Sequence, residues 1–254
     1  MIFKPKIIIE DNPVSLAFRA ADIFVQTAID SVEKRTSFSV AISGGSTPRA
    51  MHRMLGEEPY RSNIPWDKTC LFWVDERCVP EYDHTSNYGT AKSDFLDKVP
   101  IPKKHLHPMP AERFPEDGAA AYQKVLKAFF RIDETSFPVF DLIFLGIGTD
   151  GHIASLFPEH RSLAEKERLV VAVKGGNPNL TRLTLTYPVL NRARKIVFLV
   201  SGNGKSEIVK RMLSGGQAGF PAQKINPVKG EVLWLVDRDA ASLLSKAVLV
   251  NKIK

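Results

Sequence analysis

The residues best suited to chemistry lie in short polar segments that each follow an apolar run, the densest being Gly146-Ile-Gly-Thr-Asp-Gly-His-Ile-Ala-Ser-Leu-Phe-Pro158. A histidine takes and returns a proton near neutrality, and a nearby carboxylate can orient its ring. His152 is therefore a candidate general base, with Asp150 or Asp75 as the orienting carboxylate. A purely structural histidine is the ordinary alternative, but a glycine-dense segment directly after a strand favours function. Gly146, Gly148 and Gly151 also satisfy GxGxxG, the pattern of a dinucleotide turn. Such a turn should open a long helix, whereas Pro158 follows seven residues after Gly151 and the next acidic residues sit in a Lys-Glu run. The glycines are read instead as shaping a loop that presents Asp150 and His152.

Three further segments follow the same grammar. In Ser43-Gly-Gly-Ser-Thr-Pro48 the glycines permit close approach of a ligand to the backbone, and the following helix N-terminus offers unpaired N–H groups to an anion. A plain tight turn capped by Ser46 or Thr47 fits the motif equally well. Asp75-Glu76-Arg77 could grip a phosphate or hold an oxyanion through Arg77, or be a solvated charged turn. Ser201-Gly-Asn-Gly-Lys-Ser206 resembles the end of a P-loop, but Leu199 stands where a Walker A glycine is needed. Lys205 could still reach an anion from a helix start. His105 and His107 form an HxH pair, read as an exposed loop because no acidic or cysteine partner lies nearby.

These segments need strands and helices to converge them. Five apolar runs read as parallel strands: Phe38–Ser43, Cys70–Val74, Phe140–Leu145, Lys195–Val200 and Val232–Val236. Helical stretches are expected around Val14–Val32, from Pro48, and at Asn87–Leu96, Gly118–Phe130, Lys205–Leu213 and Ala240–Val248. The stretches Pro100–Pro115 and Gly215–Lys229 read as long loops. The alternation argues for an α/β fold with an open, mostly parallel sheet and helices on both faces, in a single domain spanning 1–254. In such a sheet ligands bind beyond the carboxyl ends of the strands, where the polar segments fall.

With 44% apolar and 25% charged residues among 254, the chain reads as an ordinary globular protein without a membrane span or a secretory leader. A cytoplasmic setting is expected. Two cysteines, Cys70 and Cys78, lack the spacing of a zinc site or a disulfide framework. The net charge of +7 is scattered rather than clustered, which suits a small anionic ligand better than nucleic acid.

Taken in order, Ser43–Pro48, Asp75–Arg77 with Ser86-Asn87-Tyr88, Gly146–His152 with Ala154–Pro158, Arg182-Leu-Thr-Leu-Thr186 and Ser201–Lys205 resemble the motifs of the 6-phosphogluconolactonase family over nearly the whole chain. The resemblance implies a Rossmann-like fold shared with glucosamine-6-phosphate deaminases and ribose-5-phosphate isomerases. It also implies hydrolysis of 6-phospho-D-glucono-1,5-lactone in the oxidative pentose phosphate pathway. On this reading the substrate phosphate sits among Ser43, Gly44, Gly45, Ser46, Thr47, Arg182 and Lys205, and Arg77 or loop N–H groups hold the oxyanion. His152 activates water, assisted by Asp150 or Asp75, and neither a metal nor an organic cofactor is implied.

Two rivals remain. A sugar-phosphate sensor of this fold would carry a helix-turn-helix, and here the first strand and helix are expected to begin almost at Met1. A deaminase would read Asp-Glu-Tyr where this chain has Arg77, and its catalytic acid would fall at Phe157. Phenylalanine cannot move a proton, so glucosamine 6-phosphate should yield no ammonia with the purified protein. An enzyme-coupled ammonia assay showing release at a rate comparable with lactone hydrolysis would reverse the ranking of the two activities.

Overall fold

The computed structural model describes residues 6–214 and 219–245. Its strands are β1 (Lys6–Glu10), β2 (Phe38–Ile42), β3 (Thr69–Trp73), β4 (Asp75–Arg77), β5 (Leu106–His107), β6 (Leu142–Leu145), β7 (Val170–Gly175), β8 (Leu180–Leu185), β9 (Lys195–Val200) and β10 (Glu231–Asp237). The helices are α1 (Pro13–Arg35), α2 (Ser46–Leu55), α3 (Tyr60–Asn63), α4 (Asn87–Asp94), α5 (Pro115–Phe130), α6 (Tyr187–Leu190) and α7 (Ser206–Leu213). Seven strands form one sheet in the order β1-β10-β9-β6-β2-β3-β5, and every pairing in it is parallel. The central strands are mostly apolar because a parallel sheet is covered on both faces, and β2, β3 and β6 are buried along their whole length.

Local chemistry sets the covering helices. Asn12 caps α1 by accepting from the backbone N–H of Val14 and Ser15, Pro13 supplies a helical φ at the first turn, and Thr36 ends the helix at φ 64°. Its inner stripe, Leu16, Ala20, Phe24 and Ala28, recurs every four residues. Phe24 packs edge-on against Phe38 of β2 and stacks on Phe144 of β6, placing α1 on one face. Phe72 points to the other face, because it pairs in register with Ala41 and not with Phe38. There it meets Phe129 of α5, so helices cover both faces as expected.

Chain order reverses beside β2: β3 lies on one side of it, while β6, β9 and β10 step away on the other. Connections on either side of such a switch point diverge and leave a crevice at the carboxyl ends of the strands. Ser43–Thr47 and Gly146–His152 emerge at that point, from β2 and β6.

The five expected parallel strands are present with ends shifted by at most two residues. The second sheet, β4-β8-β7, is antiparallel and was not expected. Val74 carries the chain out of β3 directly into β4, so Asp75-Glu-Arg77 is a strand and not a solvated turn. Asp75 and Glu76 are buried, and the Glu76 carboxylate accepts N–H groups from Arg77, Asn87 and Tyr88 at 2.7 Å each, the last two opening α4. Burial outweighs those bonds, and with Asp75 beside it the Glu76 carboxyl lies above its usual range.

The HxH pair is likewise not an exposed loop. Leu106 and His107 form a short edge strand on β3, His107 stacks on Phe72 at 4.4 Å, and burial pushes its imidazole down to about 4, with His105 adding to the effect. Among the described residues no group of three or more His, Cys, Asp or Glu is placed to hold a metal. Of the helix expected at Ala240–Val248, the described part forms a turn and the remainder lies outside the described residues. In the Gly215–Lys229 loop, Pro221–Lys224 forms a 3-10 turn and residues 215–218 lie outside the described residues.

On α2, His52 is fully buried against Phe95 with neither ring nitrogen paired. Burial pushes it down from 6.5 to about 4, Asp94 opposing and Arg49 reinforcing the shift. Between those values the unfolded chain binds the proton and the folded chain does not, so stability falls as pH drops through that window. One such group costs up to about 1.4 kcal/mol per pH unit. Thermal melts of His52→Leu should therefore decline less steeply with acid than those of the unaltered protein, His107 contributing to both. Parallel slopes would show that His52 does not carry this acid sensitivity.

Candidate active site

The crevice is a cavity of about 200 Å³, and its wall gathers Ser43, Gly44, Gly45, Ser46 and Thr47 after β2, Asp75 and Arg77 of β4, His152 after β6, Arg182 of β8, and Lys205 before α7. Every residue expected to act there lines it except Asp150, which reaches it through His152. The sequence positions are remote. The segments after β2, β6 and β9 meet because each leaves a parallel strand at its carboxyl end, and the antiparallel pair β4 and β8 brings Asp75, Arg77 and Arg182 to the same place.

Asp150 Oδ1 lies 2.6 Å from His152 Nδ1 and also accepts the His152 backbone N–H at 3.2 Å. A carboxylate can only accept, so Nδ1 carries the hydrogen and Nε2 is left as the acceptor of the neutral ring. Burial alone would raise the Asp150 carboxyl, but the His152 charge and hydrogen bonds outweigh it and hold the group below its ordinary value. Gly148 makes room for the pair: a Cβ there would stand 2.1 Å from His152 Nδ1 and 2.4 Å from Asp150 Oδ1. No α-helix opens from the loop, only a short 3-10 turn at Arg161–Ala164, in keeping with the rejection of a dinucleotide turn. Instead the chain closes through Gly148 N–H to His152 O at 2.8 Å and a bridge between Ile153 and Leu156.

Asp75 does not touch His152. Its carboxylate accepts from the Ser155 hydroxyl at 2.6 Å and from the Asn87 amide at 3.3 Å. Of the two candidates, Asp150 is the one bonded to the imidazole.

Arg77, Arg182 and Lys205 bring three cations to the cavity, and among the described residues none has a carboxylate within ion-pair distance. They are held by carbonyls instead. Lys205 Nζ donates to Ile147 O at 2.7 Å, Arg182 to Gly175 O at 3.2 Å and Pro178 O at 3.3 Å, and Arg77 to Thr85 O at 2.5 Å. Burial lowers both Lys205 and Arg182 from their ordinary values, the mark of cations that an anion would stabilise. The guanidinium of Arg182 lies over the Phe157 ring at 5.6 Å, and that ring packs on His152 at 4.9 Å.

Ser43 lines the cavity, yet its hydroxyl donates to Phe144 O at 2.8 Å and so fastens β2 to β6. Gly45, at φ 103° and ψ 169°, takes a conformation that a side chain would strain, and it turns the chain into α2. Two groups escaped the sequence-based choice of site residues. Asn87 lines the wall, and Ser155 lies buried behind it, bonded to Asp75. Asn87 and Ser155 do stand inside the family-like motifs, but neither type nor spacing marks a serine or asparagine as facing a carboxylate on another strand.

The family model described as glucosamine-6-phosphate isomerases/6-phosphogluconolactonase matches residues 11–234. A 6-phosphogluconolactonase of Synechocystis is 38% identical over 244 residues, covering 94% of this chain and 98% of that protein. The structure of 6-phosphogluconolactonase from Trypanosoma cruzi is similar at a TM-score of 0.84 and 27% identity, covering 96% of this chain and 98% of that one. A monomeric glucosamine-6-phosphate deaminase shares the fold at a TM-score of 0.79 and 20% identity, covering 94% of this chain and 99% of that one. A match of that extent means that the chain belongs to the glucosamine-6-phosphate isomerase/6-phosphogluconolactonase family.

Proposed function

We propose that the protein hydrolyses 6-phospho-D-glucono-1,5-lactone to 6-phosphogluconate, as a single cytoplasmic domain over residues 1–254 that acts on a small phosphorylated lactone. The observation that carries this reading is the pairing, in one cavity, of an imidazole held by a carboxylate with three cations that lack carboxylate partners. The names of relatives similar over nearly their full length support it. Among the described residues no helix is long and apolar enough to cross a membrane.

In this mechanism Arg182 and Lys205, with the N–H groups of Gly45 to Thr47, receive the phosphate. The lactone carbonyl then lies toward His152. Nε2 removes a proton from water as its oxygen bonds to the carbonyl carbon, and Arg77 or a loop N–H group holds the oxyanion. Collapse of the tetrahedral species breaks the bond to the ring oxygen, which takes the proton back from the imidazolium. The products are a carboxyl group, ionised at neutral pH, and a free hydroxyl. Asp150 stays ionised throughout and stabilises the imidazolium. The deaminase alternative is disfavoured by Phe157, whose ring occupies the space against His152.

Replacing the base should cost turnover and leave binding intact. His152→Asn should lose about 10²–10⁴-fold in kcat, the usual contribution of general-base catalysis, and still bind 6-phosphogluconate. Gly148→Ala should reproduce much of that loss by driving Asp150 and His152 apart while the fold survives. A His152→Asn variant keeping more than about a third of its turnover would rule out His152 as the base.

The cations make a different demand. Arg182→Ala or Lys205→Ala should each lose about 1.5–3 kcal/mol of transition-state binding, the scale of a charged hydrogen bond, on the phosphorylated lactone. Glucono-1,5-lactone without phosphate should be hydrolysed about as well as before. Kinetics on both lactones decide this, since an equal loss on the two would assign the residues to the fold or the chemistry rather than to the phosphate.

A further inference from the structure

Asp75 is a carboxylate in the cavity wall, only 6% exposed, and among the described residues no cation lies within ion-pair distance of it. Hydrogen bonds hold it instead. Ser155 Oγ donates to Oδ2 at 2.6 Å, and Asn87 Nδ2 reaches Oδ1 at 3.3 Å and the Asp75 carbonyl at 2.8 Å. Asp75 and Asn87 both line the cavity, whereas Ser155 is wholly buried and stands behind the wall.

The placement of Ser155 is itself over-determined. Ala154 lies at φ 47°, an unusual conformation for a residue with a side chain, and the chain turns there. The Ser155 N–H is then received by Thr184 Oγ1 at 3.1 Å, and Thr184 is the residue paired with Asp75 across β4 and β8. Thr184 in turn donates to Leu185 O at 3.1 Å. The loop that carries His152 is thereby fastened to the strand that carries Asp75 by a buried, fully bonded path.

A carboxylate has about four lone-pair sites, and two of those on Asp75 are engaged by protein donors. The remainder are available to donors in the cavity. The ligand class that offers several hydroxyl donors beside a phosphate is a sugar phosphate, here a phosphorylated sugar acid or its lactone, so this inference rests on the lactonase reading. We propose that Ser155 is a positioning residue, holding Asp75 from behind so that its carboxylate accepts the ring hydroxyls of the bound sugar. Asp75 then recognises the ligand and transfers no proton, and Ser155 acts only through it.

The test compares the unaltered protein with Ser155→Ala, Asp75→Asn and the double variant, using freshly made 6-phosphogluconolactone for kinetics and 6-phosphogluconate for calorimetric binding. Ser155→Ala should raise KM, and weaken 6-phosphogluconate binding, by about tenfold, the low end for a bond to a charged group. Its kcat should fall by less than about threefold, because the imidazole is untouched. In the Asp75→Asn background the same change should add no more than about twofold, as expected when one residue works through the other. A Ser155→Ala loss confined to kcat, a full loss repeated in the Asp75→Asn background, or unaltered binding would each overturn the proposal. If Ser155→Ala melts below the assay temperature, Ser155→Cys, of similar shape but a weaker donor, should show an intermediate KM, and a normal KM there would be equally fatal. Failure of the unaltered protein to open the lactone would refute the lactonase reading alone, with calorimetry still deciding on Ser155. Failure to bind 6-phosphogluconate would remove both.

Discussion

The hydrogen bond between Asp150 Oδ1 and His152 Nδ1 is possible only where the loop leaves space beneath it, and that space is the missing side chain of Gly148. Two residues apart in sequence, an acid and a histidine ordinarily turn to different sides. Here the backbone doubles back, with Gly148 N–H bonded to His152 O and Gly151 N–H to Gly148 O. The Gly151 carbonyl is in turn bonded by Ala222, and Lys205 holds Ile147 at the other end. A partly exposed polar pair is thus set in a loop fastened at both ends, so that on the proposed mechanism it would need no reorganisation when charge develops.

Around that pair the protein accumulates cations that no direct ion pair neutralises, although Asp75 and Glu76 act on Arg182, and Asp150 on Lys205, from a distance. Arg77, Arg182 and Lys205 come from different elements, and each is supported by carbonyl oxygens, which orient a cation without cancelling its charge. Cations brought together without carboxylate partners weaken the folded state. Their retention makes sense if a bound anion supplies the missing partner, so ligand and fold stability are coupled at this site. The carboxylates nearby are disposed differently. Glu76 is consumed in opening α4, Asp150 in holding the imidazole, and Asp75 alone faces the cavity with acceptor capacity to spare.

Phe157 links the two halves of the site. Its ring lies against the imidazole on one side and under the Arg182 guanidinium on the other. The ring offers packing surface to both and a proton to neither.

Much of this was legible in the order of residues. Short, mostly apolar runs such as Phe38–Ile42 point to strands buried on both faces, because a covered parallel sheet needs apolar residues on both alternating faces. The polar segments that follow them mark the ligand end, because a parallel sheet puts all such segments on one side, and so His152 and Lys205 stand out in the sequence, whereas Arg182, inside the antiparallel strand β8, is implied only by the family resemblance. What the chain alone left open depended on distance between residues far apart in it. Asp75-Glu-Arg77 is charged enough to be a turn, and only its pairing with β8 and its burial make it a strand. Ser43 looks like a ligand-binding hydroxyl until Phe144 O is found beside it, and Ser155 looks incidental until Asp75 is. The choice between Asp75 and Asp150 as partner of His152 had the same character. Residue type fixes what a side chain can donate or accept, and periodicity fixes which face it takes; which of several equivalent partners it meets is set by packing across the sheet.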